Sequence, residues 1–169
     1  TGYRNLSYLV SMGFLQGFYG KPRVDLALLR QHSEGLIALS ACLAGEIPRR
    51  LRAGDYDGAK AYALELSGIF GPEHFYLELQ DHGIPEQREV NRGLLRIAQE
   101  TGLPLVATND AHYLTREDSE LQDVLLCIQT GKTLDDPNRM RFETQEFYLK
   151  SEDEMRALFP ALPEALENT

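Results

Sequence analysis

The sequence lacks several features that would assign a protein to a class at once. No apolar run approaches the roughly 20 residues of a membrane-spanning helix, and no segment has the pattern of a signal peptide. The two cysteines, Cys42 and Cys127, are too few for a disulfide framework, so a reducing cytoplasm fits best. Gly-rich phosphate loops and the nucleophile elbow are also missing, which argues against a nucleotide cofactor and a serine hydrolase.

Composition and charge narrow the class further. Apolar residues make up 43% and charged residues 25% of the 169 residues, which is the balance of one ordinary globular domain. The net charge of −9 argues against a free-standing nucleic-acid binder, which needs a basic surface. Nucleic acid held by metal ions or by neighbouring domains stays open. Because the first residue is Thr1 rather than methionine, we expect a segment of a longer protein.

Apolar segments of strand length alternate with segments of helical periodicity, at about 30 residues per unit. The predicted strands are 35–42, 74–80 and 103–109, and the predicted helices are 55–70, 85–102 and 117–131. This alternation predicts an α/β fold in which parallel strands are joined by crossover helices. The buried stripe predicted for the last helix consists of Leu121, Val124, Leu125 and Ile128.

The remaining sequence predicts a short extended piece at 146–150 and a helix that begins after Ser151. Ser151 and Glu154 have the spacing of a capping box, in which each side chain accepts a backbone hydrogen bond from the other residue. The cysteine at 127 lies on the apolar face of its helix and is predicted to belong to the core.

Polar residues that could carry chemistry follow all three predicted strands. Cys42 ends the first, Asp81 and His82 follow the second, and Asp110 and His112 follow the third. Parallel strands end at one edge of a sheet, which is where α/β proteins build their sites. A carboxylate and an imidazole two residues apart can point the same way in an extended chain and could bind a divalent metal.

Each of these residues also has a structural interpretation. Cys42 could be a small buried residue, and Asp81 before Gly83 could form a turn that explains the sequence around His82. Asp110 could cap a helix, with His112 as an ordinary surface residue. The spacing alone leaves both interpretations open.

The segments TGYRNL, GLIALSACLAGEI, FYLELQDHG, LPLVATNDAHYL, GKTLDDPNRMRF and PEALENT resemble, in this order, the alpha subunits of bacterial replicative DNA polymerase III. The resemblance is to the latter part of their PHP (polymerase and histidinol phosphatase) domain. It implies part of a PHP-type distorted (βα)7 TIM-like barrel. It assigns residues 1–131 to the latter part of the barrel and 132–169 to its end and the link toward the polymerase core.

The resemblance also implies a function. PHP domains that keep their site hold up to three metal ions, zinc, manganese or iron, and the positions that match their ligands here are Cys42, Asp110 and His112. The parent would catalyse template-directed DNA synthesis with Mg, and its PHP domain could act as a 3′–5′ exonuclease. Its partners would be DNA, the sliding clamp and, as a further candidate, a proofreading subunit. The segment itself lacks the polymerase carboxylates and the family's first His-x-His motif, so about three of nine metal ligands remain.

Two alternatives stay open. The PHP domain could be a non-catalytic scaffold that supports the polymerase core or a proofreading partner, or the chain could be an unrelated doubly wound small-molecule enzyme. Three βα units cannot close a barrel. We therefore expect exposed edge strands, and a segment that is completed by the missing part, oligomeric or marginally stable.

Overall fold

The computed structural model describes residues 1–169 and has an α/β architecture. The strands are β1 (Ala38–Leu39), β2 (Phe75–Leu79) and β3 (Leu105–Ala107). The helices are α1 (Gly2–Leu15), α2 (Leu26–Gln31), α3 (Glu46–Arg52), α4 (Tyr56–Phe70), α5 (Pro85–Thr101), α6 (Ser119–Thr130), α7 (Glu152–Leu158) and α8 (Pro163–Glu167), and a 3₁₀ turn spans Arg116–Asp118. No helix is both long enough and apolar enough to cross a membrane.

The three strands form one sheet in the order β1-β2-β3, which confirms the predicted α/β class. β1 and β2 are parallel, with Ala38 opposite Phe75 and Leu39 opposite Tyr76. On the other side of β2, the Thr108 N–H donates to the Leu79 carbonyl at 3.0 Å. A three-stranded sheet is not a barrel, so the barrel remains a proposal.

All three strands are shorter than the segments that predicted them, and β1 is shortened most. The first run covers residues 35–42, whereas β1 contains only Ala38 and Leu39. Soon afterwards the backbone of Ala41 is left-handed, with φ at +65°, and extended geometry cannot continue through such a residue. β2, in contrast, has the predicted alternation, because its first, third and fifth residues are buried.

The chain divides into two compact units, and the division passes through β2 and α5. The first unit comprises Thr1–Leu77 and Leu95–Pro104. In it α3 packs against α4, and Asp55 caps the start of α4 by accepting from the Gly58 N–H at 3.0 Å. The fully buried apolar side chains of this unit are Ile47, Ala59, Ala63, Phe75, Leu77 and Ile97.

The second unit comprises Glu78–Leu94 and Leu105–Thr169. Its last residues lie along β3, because Asn168 donates to the Leu105 carbonyl at 2.9 Å and Thr169 donates to the Ala107 carbonyl at 3.0 Å. These bonds occupy backbone acceptors of β3 that would otherwise lack partners. The buried apolar residues of this unit include Leu79, Val90, Leu94, Val106, Ala107, Leu126, Phe147 and Phe159.

The buried stripe predicted for α6 is wrong. Its members are exposed: Leu121 by 64%, Val124 by 40%, Leu125 by 57% and Ile128 by 72%. The helix instead buries the next face, with Leu126 and Cys127 in the core, which confirms the prediction for the cysteine. That face also carries Asp123, which pairs with the nearly buried guanidinium of Arg139. A prediction from hydropathy places a helix face with an aspartate toward solvent. Here the ion pair with Arg139 allows that face to point inward.

The capping box before α7 is confirmed and is joined to a buried aromatic residue. Ser151 accepts from the Glu154 N–H, and the Glu154 carboxylate accepts from the Ser151 N–H at 2.8 Å. The same carboxylate group accepts from the Tyr148 hydroxyl at 2.6 Å. The hydroxyl of Tyr148, together with the two donors of Ser151, lowers the pKa of Glu154 from 4.5 to about 2.

We expect the stabilising effect of the Glu154 charge to disappear in acid. Because its pKa is lower in the folded state, its contribution is complete above about pH 4.5 and is lost as the pH falls through about 2. Urea denaturation of the wild type and of Glu154→Gln should therefore differ most near neutral pH, and the difference should shrink toward pH 2. A difference that is constant across this range would contradict the assignment.

Candidate metal centre

The candidate site begins where β3 ends. After Ala107, the Thr108 N–H still pairs with β2, and the Asn109 side chain donates to the Tyr148 carbonyl at 2.8 Å. The next residue, Asp110, is left-handed with φ at +47°. Asparagine and aspartate tolerate this conformation better than other L-residues do, because their short polar side chains can bond locally. The turn therefore takes Asp110 out of the sheet and leaves its side chain accessible.

The structure brings Asp110 and His112 together. The Asp110 Oδ1 and His112 Nε2 atoms are 3.3 Å apart, and the two side chains are 38% and 40% exposed. Both groups are therefore held near one point and are reachable from solvent. As a plain surface ion pair this contact would contribute about 0–1 kcal/mol to the free energy of unfolding, so stability alone gives little reason for it.

The backbone of His112 is fixed by the extended piece predicted at 146–150. The His112 N–H donates to the Phe147 carbonyl at 2.7 Å, and the Leu149 N–H donates to the Tyr113 carbonyl at 3.0 Å. Tyr113 and Tyr148 form a parallel bridge there. The predicted extended piece is therefore confirmed only as a bridge at Tyr148, whose neighbours bond to the backbone of His112 and Tyr113.

Two aromatic rings fix the imidazole of His112. The ring of Phe142 lies 4.8 Å from it between centroids, and that of Phe147 lies 5.8 Å away in an edge-to-face arrangement. The two phenylalanine rings also contact each other at 4.4 Å. Such contacts restrict the rotation of the imidazole, whose Nε2 lies 3.3 Å from Asp110 Oδ1.

His82 follows the structural interpretation. It is 1% exposed, and its Nε2 lies 2.5 Å from the Asn109 carbonyl oxygen, so this nitrogen is already engaged. The turn predicted at this position is confirmed, because the Gly83 N–H donates to Asp81 Oδ1 at 2.8 Å. His82 therefore belongs to the packing beneath the site rather than to its accessible surface.

Cys42, the third candidate ligand, lies in the first unit and is exposed, so its interpretation as a small buried residue is wrong. Its carbonyl accepts from the Gly45 N–H at 2.8 Å and closes a tight loop. A Cβ added at Gly45 would lie 2.4 Å from the Ser40 carbonyl oxygen, so the loop needs glycine at this position. The thiol is thus presented on a constrained loop directly after β1.

The loops that carry the candidate ligands share one feature. Ala41 and Asp110 are the two residues other than glycine with a positive φ, and each lies two or three residues beyond the end of a strand. Residues held in this region cost about 1–3 kcal/mol each, and they cluster at functional sites. The loops after β1 and β3 therefore each carry a candidate ligand and a strained backbone.

The strain at Ala41 predicts a stabilising substitution. Ala41→Gly should raise the free energy of unfolding by about 0.5–1 kcal/mol, because glycine adopts a φ of +65° without a steric penalty. Ala61→Gly is the matched control, since it lies exposed within α4 and should lower the free energy by about 1 kcal/mol. Chemical denaturation of both variants measures this. Equal signs for the two changes would contradict the assignment.

Asp110 and His112 have the donor types and the separation of two ligands of one metal. Ligands bound to a tetrahedral zinc at the usual length of roughly 2.1 Å are about 3.4 Å apart, close to the 3.3 Å between Oδ1 and Nε2. No group of three or more His, Cys, Asp or Glu side chains is arranged to hold a metal ion. Asp110 and His112 are thus two neighbouring donors, whereas a catalytic zinc site uses three protein ligands.

Glu78 lies in a hydrogen-bond network at the ends of β2 and β3. Its Oε1 accepts from the Thr108 hydroxyl at 2.5 Å and from the Gln80 amide at 3.2 Å. Thr108 and Gln80 also lie 3.1 Å apart between Oγ1 and Nε2, so the three side chains tie the ends of β2 and β3 together. The carboxylate therefore links side chains at the ends of β2 and β3 within the second unit.

Comparison with known proteins agrees with the resemblance. Residues 1–82 match the model of the PHP domain family. Over all 169 residues, the chain is 50% identical to the DNA polymerase III subunit alpha of Treponema pallidum (strain Nichols), of which it covers 14%. The subunits of Borreliella burgdorferi and Thermus aquaticus are each 51% identical, over 99% and 95% of the chain and 15% and 13% of their own lengths. Over its whole length the chain is therefore similar to a segment of DNA polymerase III alpha subunits, and residues 1–82 match the PHP domain.

Proposed function

We propose that Asp110 and His112 bind a divalent metal ion, with zinc, manganese and iron as the candidates. The observation that carries this proposal is the 3.3 Å separation of Oδ1 and Nε2 in two half-exposed side chains beyond β3. We propose Cys42 separately, as a metal-ligand candidate within the first unit, because it is exposed, lies on a constrained loop and matches the family position.

The residues of the pair have distinct roles in this proposal. The Asp110 carboxylate supplies negative charge to a hard or borderline cation, and its left-handed backbone directs it away from the sheet. The His112 imidazole supplies a neutral nitrogen, and the rings of Phe142 and Phe147 keep that nitrogen from rotating away. When bound, the metal would activate water and polarise a phosphate oxygen, which is the chemistry of phosphodiester hydrolysis.

For the whole protein we propose template-directed DNA synthesis, with 3′–5′ phosphodiester hydrolysis by the PHP domain. The support is the similarity to alpha subunits, of which this chain spans 13–15%. Polymerase chemistry with Mg would then reside outside this chain. DNA, the sliding clamp and a proofreading subunit would be the partners, in the cytoplasm. We propose that residues 1–131 belong to the barrel and 132–169 to its end and the link onward.

Metal analysis of the chain and its His112→Ala variant tests the proposal. After incubation with zinc and manganese and removal of free metal, the wild type should retain metal and the variant should lose it, because one of two adjoining donors is gone. His74→Ala is the matched control, since His74 is exposed just before β2 and should not affect binding. Equal retention by His112→Ala and the wild type would contradict the assignment of the pair.

The scaffold interpretation is the second candidate. It is favoured by one observation, namely that no three ligand side chains are arranged together for a metal ion. The same assay, repeated on the whole polymerase, separates the two, because a scaffold would bind no metal there. The unrelated doubly wound enzyme is set aside by identities of 50–51% to DNA polymerase III alpha subunits.

A further inference from the structure

We propose that His82 is the positioning residue of the Asp110–His112 pair. This inference extends the proposed metal site, and it depends on that proposal only for the binding of a metal ion. His82 does not face solvent and is not a ligand candidate, yet it contacts the backbone beside Asp110 and a ring beside His112. All of the residues concerned lie in the second unit.

Hydrogen bonds with Gln87 fix the tautomer of His82. The His82 N–H donates to Gln87 Oε1 at 2.8 Å, so the other end of that amide must be the NH₂ group. This NH₂ lies 2.9 Å from His82 Nδ1 and donates to it, because Nδ1 must then be the acceptor. A neutral imidazole has one N–H, and here it must be on Nε2. Gln87 is itself 5% exposed, so water does not compete freely for these bonds.

The Nε2 proton of His82 holds the backbone that turns into Asp110. Nε2 is 2.5 Å from the Asn109 carbonyl oxygen, and that carbonyl belongs to the peptide group that joins Asn109 to Asp110. Fixing this peptide plane restricts rotation immediately before the left-handed residue, whose φ is +47°. The Asn109 side chain is held separately by the Tyr148 carbonyl, so both ends of this residue are fixed. The direction of the Asp110 carboxylate follows from that restraint.

His82 reaches His112 through Phe147. The rings of His82 and Phe147 stack at 4.1 Å with an interplanar angle of 5°. The Phe147 ring contacts the His112 ring edge-to-face, and the Phe147 carbonyl accepts a hydrogen bond from the His112 N–H. One buried side chain thus supports the backbone of the first ligand candidate and the ring contact of the second. Residues that orient metal ligands without binding the metal typically change its affinity about 10–100-fold when they are replaced.

The wild-type chain provides the first test, without any substitution. Long-range ¹H–¹⁵N spectra of the metal-free protein distinguish the two imidazole tautomers. We expect the His82 proton on Nε2. A proton on Nδ1 would place two acceptors face to face at Asn109 and would overturn the proposal.

Three variants provide the second test, with metal-free spectra of the His112 imidazole and Mn²⁺ affinity as the readouts. His82→Phe keeps a flat ring on Phe147 but removes the donor, whereas His82→Gln keeps a donor and loses the ring. We expect His82→Phe to move the His112 signals toward those of Asp110→Ala and to weaken Mn²⁺ binding about 10-fold. His82→Gln should recover part of both, because it restores the donor but not the ring on Phe147. His74→Phe, the same change at an exposed site, should alter neither.

Unchanged His112 signals in a folded His82→Phe variant would overturn the positioning role, as would a His82→Gln variant that recovers nothing. If circular dichroism shows His82→Phe to be unfolded, the wild-type tautomer and His82→Gln decide the question. A wild type that binds no Mn²⁺ would refute the proposed metal site. The metal-free spectra would still decide whether His82 positions the pair, so the two failures are distinguishable.

Discussion

Replacing Asp110 with asparagine in the whole polymerase is expected to lower metal-dependent removal of 3′-terminal nucleotides by at least about 100-fold. The amide is isosteric but neutral, so the proposed metal ion would lose a charged ligand beside His112. Metal ions stabilise such transition states by several kcal/mol, and each 1.36 kcal/mol corresponds to tenfold in rate. The measurement is digestion of a 3′-labelled primer in the presence of Mn²⁺.

The control for this prediction is template-directed synthesis by the same preparation, which should be unchanged because its carboxylates are expected outside this chain. Asp135→Asn is the matched variant, because Asp135 is an exposed aspartate remote in sequence from the pair and should retain wild-type digestion. Digestion by Asp110→Asn at the wild-type rate would show that this carboxylate takes no part in hydrolysis.

Phe147→Ala is expected to lower the free energy of unfolding by about 3–5 kcal/mol. Phe147 is 6% exposed and its ring contacts those of His82, Phe142 and His112. Removing it leaves a cavity and three rings without their common partner. Urea denaturation monitored by circular dichroism measures the change.

Phe14→Ala is the matched control for the stability prediction. Phe14 is 58% exposed on α1, so the same substitution there should change the free energy by less than about 1 kcal/mol. Similar losses for the two variants would mean that the Phe147 cluster has no special part in holding the second unit together.

The parts of the fold that sequence reasoning predicted are those fixed by local chemistry. The alternation in β2, the start of α5 at Pro85 and the capping box at Ser151 all depend on residues within a few positions of each other. α3 escaped prediction, because seven residues with a proline near the start show no clear periodicity.

The parts that were missed depend on contacts between distant residues. The inward face of α6 could not be predicted from the helix alone. Asp123 on that face pairs with Arg139, which lies 16 residues further along the chain. The link from His82 to Asn109 spans 27 residues, and the sequence offers only an ordinary turn at that position. The one available signal was that a histidine follows a strand end, and such histidines are also common in surface turns.

The spacing of Asp110 and His112 suggested a candidate pair and the resemblance matched it to ligand positions, but neither predicted its geometry. Alternation along an extended chain suggested that Asp110 and His112 share one side, whereas the structure brings them together through a left-handed turn. The extended piece that holds His112 is 35 residues away at Phe147, so the pairing that completes the arrangement could not be derived from the segment around Asp110.

The most direct test of the central claim is anomalous diffraction from a crystal of the whole polymerase soaked in Mn²⁺. An anomalous peak is expected within bonding distance of both Asp110 Oδ1 and His112 Nε2, and it should be absent from crystals of Asp110→Asn. A Mn²⁺ peak elsewhere with none at this pair would contradict the claim, and would leave the two side chains as a surface contact.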